Sequence, residues 1–355
     1  MEPTANPAQM IQYIPQPVFL VKNGIITETN DAALNCQIKT GIPVCELITL
    51  GIEEYEAFSA GKLYLELKMG RAWVSICDDF HLFHIENSYS SSELRAFALA
   101  AQHLRMPLSN ALSGTELLIQ NEALHSDTAL KAQLGQINQS LYQLMRAVCN
   151  MSDISQLGTT YSTKAEFINA TSVFREIFEK AAMLTAETGH TLKFSNWEQD
   201  IECVMDAQLL ERAVLNLVSN AIKFSPNGSK ILAALKHNKN RLTLTVENDI
   251  LDGQGGIYGN AFSRFLREPG IESGKLGIGL GMSVVSSAVS AHSGIVLLNQ
   301  VRKNSVRISI SLPVRTDLSP IMKSPVMLMG GYTGGIDSYL LELSDVLPSH
   351  FYESL

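Results

Sequence analysis

The chain has few cysteines, few charges and no long apolar run, and each shortage excludes a class of protein. Its five cysteines form no C-x-x-C pair, which predicts reduced thiols and neither a disulfide framework nor a zinc site. Only 17% of the 355 residues are charged, yet the apolar runs are shorter than the roughly 20 residues of a membrane helix. The N-terminus lacks a basic, apolar leader. We therefore expect a cytoplasmic protein with no membrane partner.

An excess of basic residues is also lacking. Lys and Arg number 27 against 35 Asp and Glu, which gives a net charge of -8. Non-specific nucleic-acid binding depends on a positive field over the whole protein, so we expect no nucleic-acid partner, although a local phosphate site remains compatible with this balance. The chain is rich in apolar residues, at 46%, and its length predicts two or three packed domains.

Residues 10–86 predict a small α/β domain. Two apolar runs, 17–22 and 25–29, flank Asn23-Gly24, a strong hairpin signal. Asn30-Asp31 would cap a short helix after them. Three further runs alternate like strands: 63–67, 73–77 and 81–85. This order of strand pair, short helices and strand meander resembles a PAS-type sensor domain.

Residues 88–157 change to long helical patterns. In the first helix the apolar residues recur at spacings of three and four, at Leu94, Phe97, Ala101, Leu104, Leu108 and Ala111. A second run over 130–148 repeats the pattern after a polar break. Two such helices form a hairpin whose seam is half covered, which predicts a homodimer through a four-helix bundle. The alternative is a bundle within one chain, completed by the flanking domains.

Residues 160–315 predict a separate α/β domain. Three helical patterns, 166–188, 206–224 and 280–292, alternate with strand-like runs. Those runs are 191–194, 231–235, 242–246, 295–298 and 306–310. Glycine and proline cluster at 252–279, which indicates long loops. Residues 316–355 follow as an extension to which the sequence assigns no role.

Two asparagines one turn apart, Asn216 and Asn220, lie on one face of the helix predicted at 206–224. Buried amides in an apolar helix are costly unless a partner satisfies them. A hard cation with phosphate oxygens is one such partner, and Lys223 follows within a turn as a phosphate ligand. The alternative is that neighbouring loops satisfy both amides.

Three glycines at alternate positions, Gly277, Gly279 and Gly281, precede the last predicted helix. Glycines let a backbone approach phosphate closely, and the N–H groups at a helix N-terminus bind anions. Flexible loops show the same spacing, so the pattern is weak alone. A dinucleotide-binding oxidoreductase is excluded because the glycines do not follow the first strand of a βαβ unit.

In combination these segments resemble a known family. Residues 216–224, 262–267, 277–282 and 291–294 occur in the order and spacing of the N, F and G boxes of the sensor histidine kinase ATP-binding domain, a GHKL-type fold. Residues 103–108 resemble the H-box of its dimerisation hairpin. The resemblance implies an α+β multidomain protein: a PAS-like α/β domain, a two-helix dimerisation hairpin and an α/β-sandwich GHKL-type ATP-binding domain.

The resemblance also implies ATP and Mg²⁺ as cofactors and assigns roles to residues. Asn220 would hold Mg²⁺, Asn216 would face the phosphates and Lys223 would neutralise their charge. The phosphate loop and lid hinge would include the ATP-binding residues Gly277, Gly279, Leu280 and Gly281. The implied reaction of a protein-histidine kinase is phosphorylation of a histidine, followed by transfer to an aspartate on the receiver domain of a response regulator.

The first G-box departs from the family pattern. Family members carry Asp-x-Gly-x-Gly after a strand, and the aspartate reads the adenine amino group. Here no aspartate has both glycines. Asn248 lies where the strand is predicted to end and could accept the same hydrogen bond, whereas Asp252 has Gln254 in place of the middle glycine. Both stay candidates for the adenine contact.

The H-box departs further. An alignment without gaps puts Gln102 at the phospho-acceptor position, and glutamine has no nucleophilic nitrogen. A one-residue deletion instead leaves His103 as the acceptor without its neighbouring acid. These departures keep a second hypothesis open: a non-catalytic regulator that binds ATP or only dimerises and acts by protein contact. A chaperone- or topoisomerase-type ATPase of the same fold is a third, disfavoured by the hairpin and the PAS-like domain.

Overall fold

The computed structural model describes residues 7–77, 79–85, 91–120, 127–155, 164–195, 199–250, 281–302, 304–316 and 336–353. The described α-helices in the N-terminal unit and the hairpin are α1 (Pro7–Met10), α2 (Asp31–Asn35), α3 (Ile52–Glu56), α4 (Ser91–Ile119) and α5 (Thr128–Ser155). Those that follow are α6 (Ala170–Thr185), α7 (Ala207–Phe224), α8 (Gly281–Ala291) and α9 (Ser338–Glu342). None of these helices is both long and apolar enough to cross a membrane.

The N-terminal unit combines an antiparallel sheet with short helices. Its strands are β1 (Val18–Lys22), β2 (Ile25–Thr29), β3 (Ile48–Leu50), β4 (Lys62–Leu67), β5 (Gly70–Cys77) and β6 (Phe80–Ile85). The order β2-β1-β6-β5-β4 joins the hairpin to the meander, and β3 pairs with β4. Asn30 caps α2 by accepting the backbone N–H of Ala33. The stacked rings of Phe19 and Phe83 lie in the core of the N-terminal unit.

The two long helices α4 and α5 pack against each other. Asp127 begins α5 by accepting the backbone N–H groups of Ala129 and Leu130. Residues that the spacing assigns to one seam differ in exposure: Ala101 is buried, but Leu104 is 47% exposed. Phe97 and Leu94 have side chains outside the described set.

The C-terminal α/β unit contains a five-stranded sheet, which packs against α6, α7 and α8, and a separate two-stranded sheet. Its strands are β7 (Glu166–Asn169), β8 (Thr191–Ser195), β9 (Glu202–Met205), β10 (Lys230–Asn238), β11 (Arg241–Asp249), β12 (Ile295–Arg302) and β13 (Ser305–Pro313). The order β12-β13-β11-β10-β8 is antiparallel except for the β10–β8 pair. The apolar faces of α6, α7 and α8 and the sheet form one core.

One helical prediction in this unit is wrong at its start. Residues 166–169 form β7, which pairs with β9, and the helix begins only at Ala170. The Asn169 side chain accepts the backbone N–H of Ser172 and so fixes the helix start. The four-residue strand is too short for its alternation to be visible beside the helical pattern that follows.

The two sheets join edge to edge through β4 and β12. Val296 pairs with Tyr64 and Leu298 with Lys62, so the strands form one eleven-stranded sheet. Gly61 permits this approach: its φ is +88°, and a Cβ there would lie 2.3 Å from the Leu298 carbonyl oxygen. The N-terminal unit is therefore held on the α/β unit by backbone hydrogen bonds.

Candidate nucleotide site

Helix α7 forms where the sequence places a cap, an apolar stripe and a stop. The Asp206 side chain accepts the backbone N–H of Leu209, which satisfies one of the donors left open at a helix start. Apolar residues then recur at spacings of three and four and are buried. The helix ends at Phe224 before Ser225-Pro226, since proline disfavours helical geometry in the residue before it.

His292 connects the start of α7 to the end of α8. Its Nε2 accepts the Asp206 backbone N–H at 2.9 Å, and its Nδ1 lies 2.7 Å from the Ala288 carbonyl oxygen. Both contacts together require the neutral ring, with the proton on Nδ1. Burial lowers the pKa of His292, in accord with that form. The glycine-box segment around His292 thus fixes α8 against α7.

The structure brings three predicted site residues together: Asn216, Asn220 and Gly281. Gly281 is the first residue of α8, and a Cβ on it would lie 2.8 Å from the Asn216 amide oxygen and 3.8 Å from the Asn220 amide nitrogen. A larger residue at this position would displace the Asn216 side chain. The N-terminus of α8 therefore lies beside the two amides.

Protein groups contact both ends of the Asn216 amide in this structure. Asn216 is fully buried. Its Nδ2 donates to the Arg212 carbonyl and to Glu342 Oε2, both at 2.9 Å. Its Oδ1 accepts from Arg146 Nη2 at 2.9 Å. Asn216 as placed here does not present its amide to a ligand.

Asn216 belongs to a buried network of alternating charges. Glu342 is inaccessible to solvent and accepts from Arg146 at 3.1 Å and from Arg212 at 2.7 Å. Arg212 also pairs with Asp153 at the end of α5. Burial would lower the pKa of Arg212, but the carboxylates of Asp153 and Glu342 raise it, so the guanidinium stays charged. The network connects α5, α7 and α9.

Lys223 and Asp345 extend this network toward the surface. Lys223 Nζ lies 3.2 Å from Asp345 Oδ2, and Arg146 Nη1 lies 3.0 Å from the same oxygen. The side chains of Lys223 and Asp345 are 9% and 25% exposed. A carboxylate therefore contacts the ammonium that the sequence predicts for phosphate. Asn220, one turn before, is only half-buried.

Asn248 lies within β11, one residue before the strand ends. It is buried, and its Nδ2 donates to Ser225 Oγ at 3.1 Å and to the Asp249 carbonyl at 2.9 Å. These contacts fix the amide plane. The predicted adenine contact uses the other end of the amide, its oxygen.

His103 lies on α4 and is exposed, as are its neighbours Gln102 and Leu104. Pro107 lies inside the helix and has no N–H to donate to the carbonyl four residues earlier, which is that of His103. Helical backbone hydrogen bonding is thus interrupted at the predicted phospho-acceptor. Exposure does not distinguish His103 from Gln102.

Several predicted site residues lie outside the described residues: Asp252, Gly277, Gly279, Leu280 and the segment 262–267. The sequence reasoning missed Arg146, Arg212, Glu342 and Asp345. One signal was available, since Glu342 is a lone charge within the apolar stretch 339–343. Its partner Arg146 is 196 residues away in the sequence, so no local pattern could identify it.

Comparison with known proteins supports the same family. Residues 205–316 match the family of histidine kinase-, DNA gyrase B- and HSP90-like ATPases. Sensor protein KdpD of Clostridium acetobutylicum is 28% identical over 54% of this chain and 21% of its own length. Sensor histidine kinase CusS of Escherichia coli O6:H1 is 25% identical over 55% of this chain and 40% of its own length. The chain thus spans less than half of the curated relatives it matches.

A solved structure shows the same fold. Full-length ShkA, crystallised in complex with AMPPNP, superimposes with a TM-score of 0.52 at 18% identity, over 63% of this chain and 46% of ShkA. At that identity the likeness concerns the fold alone. Together, the family match and the shared fold indicate a GHKL-type α/β ATPase domain over residues 205–316, and KdpD and CusS, which resemble this chain, are both sensor proteins.

Proposed function

We propose that the protein is a sensor histidine kinase of a two-component system, which binds Mg-ATP and phosphorylates His103. The observation that carries the proposal is the meeting of α7 and α8, where Gly281 contacts the paired amides of Asn216 and Asn220. The ATPase family match covers both helices.

The predicted site residues differ in how well their placement suits contact with a magnesium nucleotide. Asn220 is half-buried beside the start of α8 and offers the amide oxygen that a hard cation accepts. Lys223 carries a positive charge one turn further on, and the α8 N-terminus supplies backbone N–H groups. Mg-ATP, when bound, would supply the transferable phosphoryl group and the charge that stabilises its transfer. Asn216 would join the site only after its contacts with Arg146 and Glu342 break.

The hairpin supplies the proposed acceptor and a surface for a second copy. Exposed apolar residues recur on α4 every seven positions, at Leu104, Ala111 and Leu118. On α5, Ile137 and Leu144 repeat the spacing at 49% and 54% exposure. Heptad spacing of exposed apolar side chains is the pattern of a helix seam that a partner helix covers. We infer a homodimer through this surface and a receiver domain as the phosphate recipient.

We infer a PAS-like sensor role for the N-terminal unit. Its strand order and its short helices between β2 and β4 agree with the layout that the sequence resemblance implies. The unit contacts the ATPase unit through the β4–β12 pairing and an ion pair of 2.8 Å between Glu54 and Arg241. A change in the sensor core would therefore reach the ATPase sheet directly.

The test is incubation of the purified full chain with γ-labelled ATP and Mg²⁺, followed by an acid-lability assay of bound phosphate. We expect labelling that acid removes, because phosphohistidine is acid-labile. We expect it to be slow, because His103 lacks the adjacent general base, whose loss costs about 10²–10⁴-fold in rate. His103→Gln should abolish labelling, whereas Gln102→Ala, its exposed neighbour, should leave it intact. ATP binding without any labelling would favour the non-catalytic regulator instead.

A further inference from the structure

The C-terminal segment, residues 336–353, docks across both α5 and α7. Tyr352 is fully buried and packs edge-on against Tyr142 of α5. The Asn138 side chain of α5 donates to the Tyr352 carbonyl, and the Gln139 side chain donates to the carbonyls of Ser344 and Leu347. The family match ends at residue 316. The segment is therefore an addition to the ATPase domain that is anchored to the hairpin.

Two acidic residues of this segment meet the residues expected to contact phosphate. Glu342 accepts from the Asn216 amide at 2.9 Å, and Asp345 lies 3.2 Å from the Lys223 ammonium. Carboxylate oxygens here contact the kinds of donor that phosphate oxygens use. Both N–H groups and the oxygen of the Asn216 amide have protein partners in this arrangement, since Arg146 donates to the oxygen.

We propose that the C-terminal segment is an autoinhibitory element that competes with nucleotide phosphates for Asn216 and Lys223. This proposal rests on the proposed ATP site. In the docked state the segment also ties α7 to α5 through Arg146 and Arg212. Nucleotide binding at full strength requires that Glu342 and Asp345 withdraw, and that withdrawal loosens the ATPase unit from the hairpin.

Competition of this kind has a reciprocal signature. If docking of the segment weakens nucleotide binding, nucleotide must weaken docking by the same factor. The apparent dissociation constant is the intrinsic constant divided by the fraction of molecules with the segment released. A ligand that binds without displacing the segment would leave the docking equilibrium unchanged.

The first test is hydrogen exchange on the wild-type full chain, with and without saturating Mg-ATP. We expect nucleotide to speed amide exchange in 338–353, although ligands ordinarily slow exchange near their site. The second test is calorimetric titration of Mg-ATP into Asp345→Asn, which removes the carboxylate beside Lys223 from a partly exposed position. We expect binding about three- to tenfold tighter than in the wild type, the effect of losing one charge-assisted contact.

Matched variants separate this effect from general damage. Asp337→Asn makes the same charge change in the same segment and keeps a good cap for α9, and its ion partner is the exposed Lys180. It should bind nucleotide like the wild type. Tyr352→Ala weakens docking on α5 without touching the nucleotide site, and should tighten binding too.

The outcomes distinguish the two proposals. Slower or unchanged exchange in 338–353 with bound Mg-ATP, or equal affinity in Asp345→Asn, Tyr352→Ala and wild type, would overturn autoinhibition and leave the ATP site standing. Absence of nucleotide binding in all variants, each shown to be folded by circular dichroism, would refute the proposed function and the autoinhibition that rests on it.

Discussion

Replacing Glu342 with glutamine should destabilise the ATPase unit far more than the same change at an exposed carboxylate. Glu342 is inaccessible to solvent and contacts two guanidinium groups, those of Arg146 at 3.1 Å and Arg212 at 2.7 Å. Breaking a buried ion pair by removing one partner costs about 3–5 kcal/mol, because the remaining charge is left buried. Glutamine keeps one oxygen as acceptor, so we expect the lower end, about 3 kcal/mol.

The control is Asp337→Asn. Asp337 pairs with Lys180 at 3.3 Å, but both side chains are more than 40% exposed. Exposed pairs contribute about 0–1 kcal/mol, and asparagine caps a helix as well as aspartate does.

The assay is urea unfolding followed by circular dichroism, at neutral pH and without nucleotide. With a slope of about 1–3 kcal/mol per molar urea, the Glu342→Gln midpoint should fall by roughly 1–3 M, and the Asp337→Asn midpoint should barely move. Equal midpoints for the two variants would refute the argument that the C-terminal segment is anchored by buried charge.

Three further predictions concern the hairpin, α8 and the sheet junction. Leu104→Glu should convert a dimer to monomers in light scattering, because it places a charge in the proposed seam. Leu117→Glu, at a position that is 71% exposed and about 140° around α4 from Leu104, should not. A wild-type monomer would contradict the dimer. The pKa of His292 is lowered in the fold, so the stability that its neutral ring contributes is complete above its unfolded pKa of about 6.5 and is lost as the pH falls below that value. The drop in melting temperature on acidification should therefore be smaller in His292→Gln than in the wild type. An equal drop would refute the stabilising role of the neutral His292 ring. Gly61→Ala should speed amide exchange in β12, because its Cβ would clash with the Leu298 carbonyl. Gly24→Ala, at a similar positive φ but with open space around it, should not. Equal exchange in the two variants would contradict the need for a close approach of Gly61 to β12.

Local patterns were enough to predict most of the elements. The helix α7 was predicted to within one residue because a cap, an apolar stripe and a proline stop all agree over 206–226. The hairpin turn at Asn23-Gly24 and the cap at Asn30 are confirmed as well. Each of these signals acts between residues close in sequence, where steric limits and backbone hydrogen bonds decide the structure.

The rest depends on contacts between distant segments. Periodicity indicated that Leu104 and Ala101 share a seam, yet only packing decides that Ala101 is buried and Leu104 is exposed. The pairing of β4 with β12 joins residues over 230 positions apart. The network around Glu342 joins α5, α7 and α9, and a lone acidic residue in an apolar run shows only that a buried partner must exist.

Calorimetric titration of Mg-ATP into the wild-type chain and into Asn220→Ala tests the central claim most directly. Asn220 is the half-buried amide at the meeting of α7 and α8. The control is Gln208→Ala, which removes an exposed amide from the same helix. We predict magnesium-dependent binding to the wild type and to Gln208→Ala, and a loss of about tenfold or more in Asn220→Ala, as expected when a ligand loses a charge-assisted contact. Equal binding in all three proteins, or no binding to the folded wild type, would contradict a nucleotide site built on these helices.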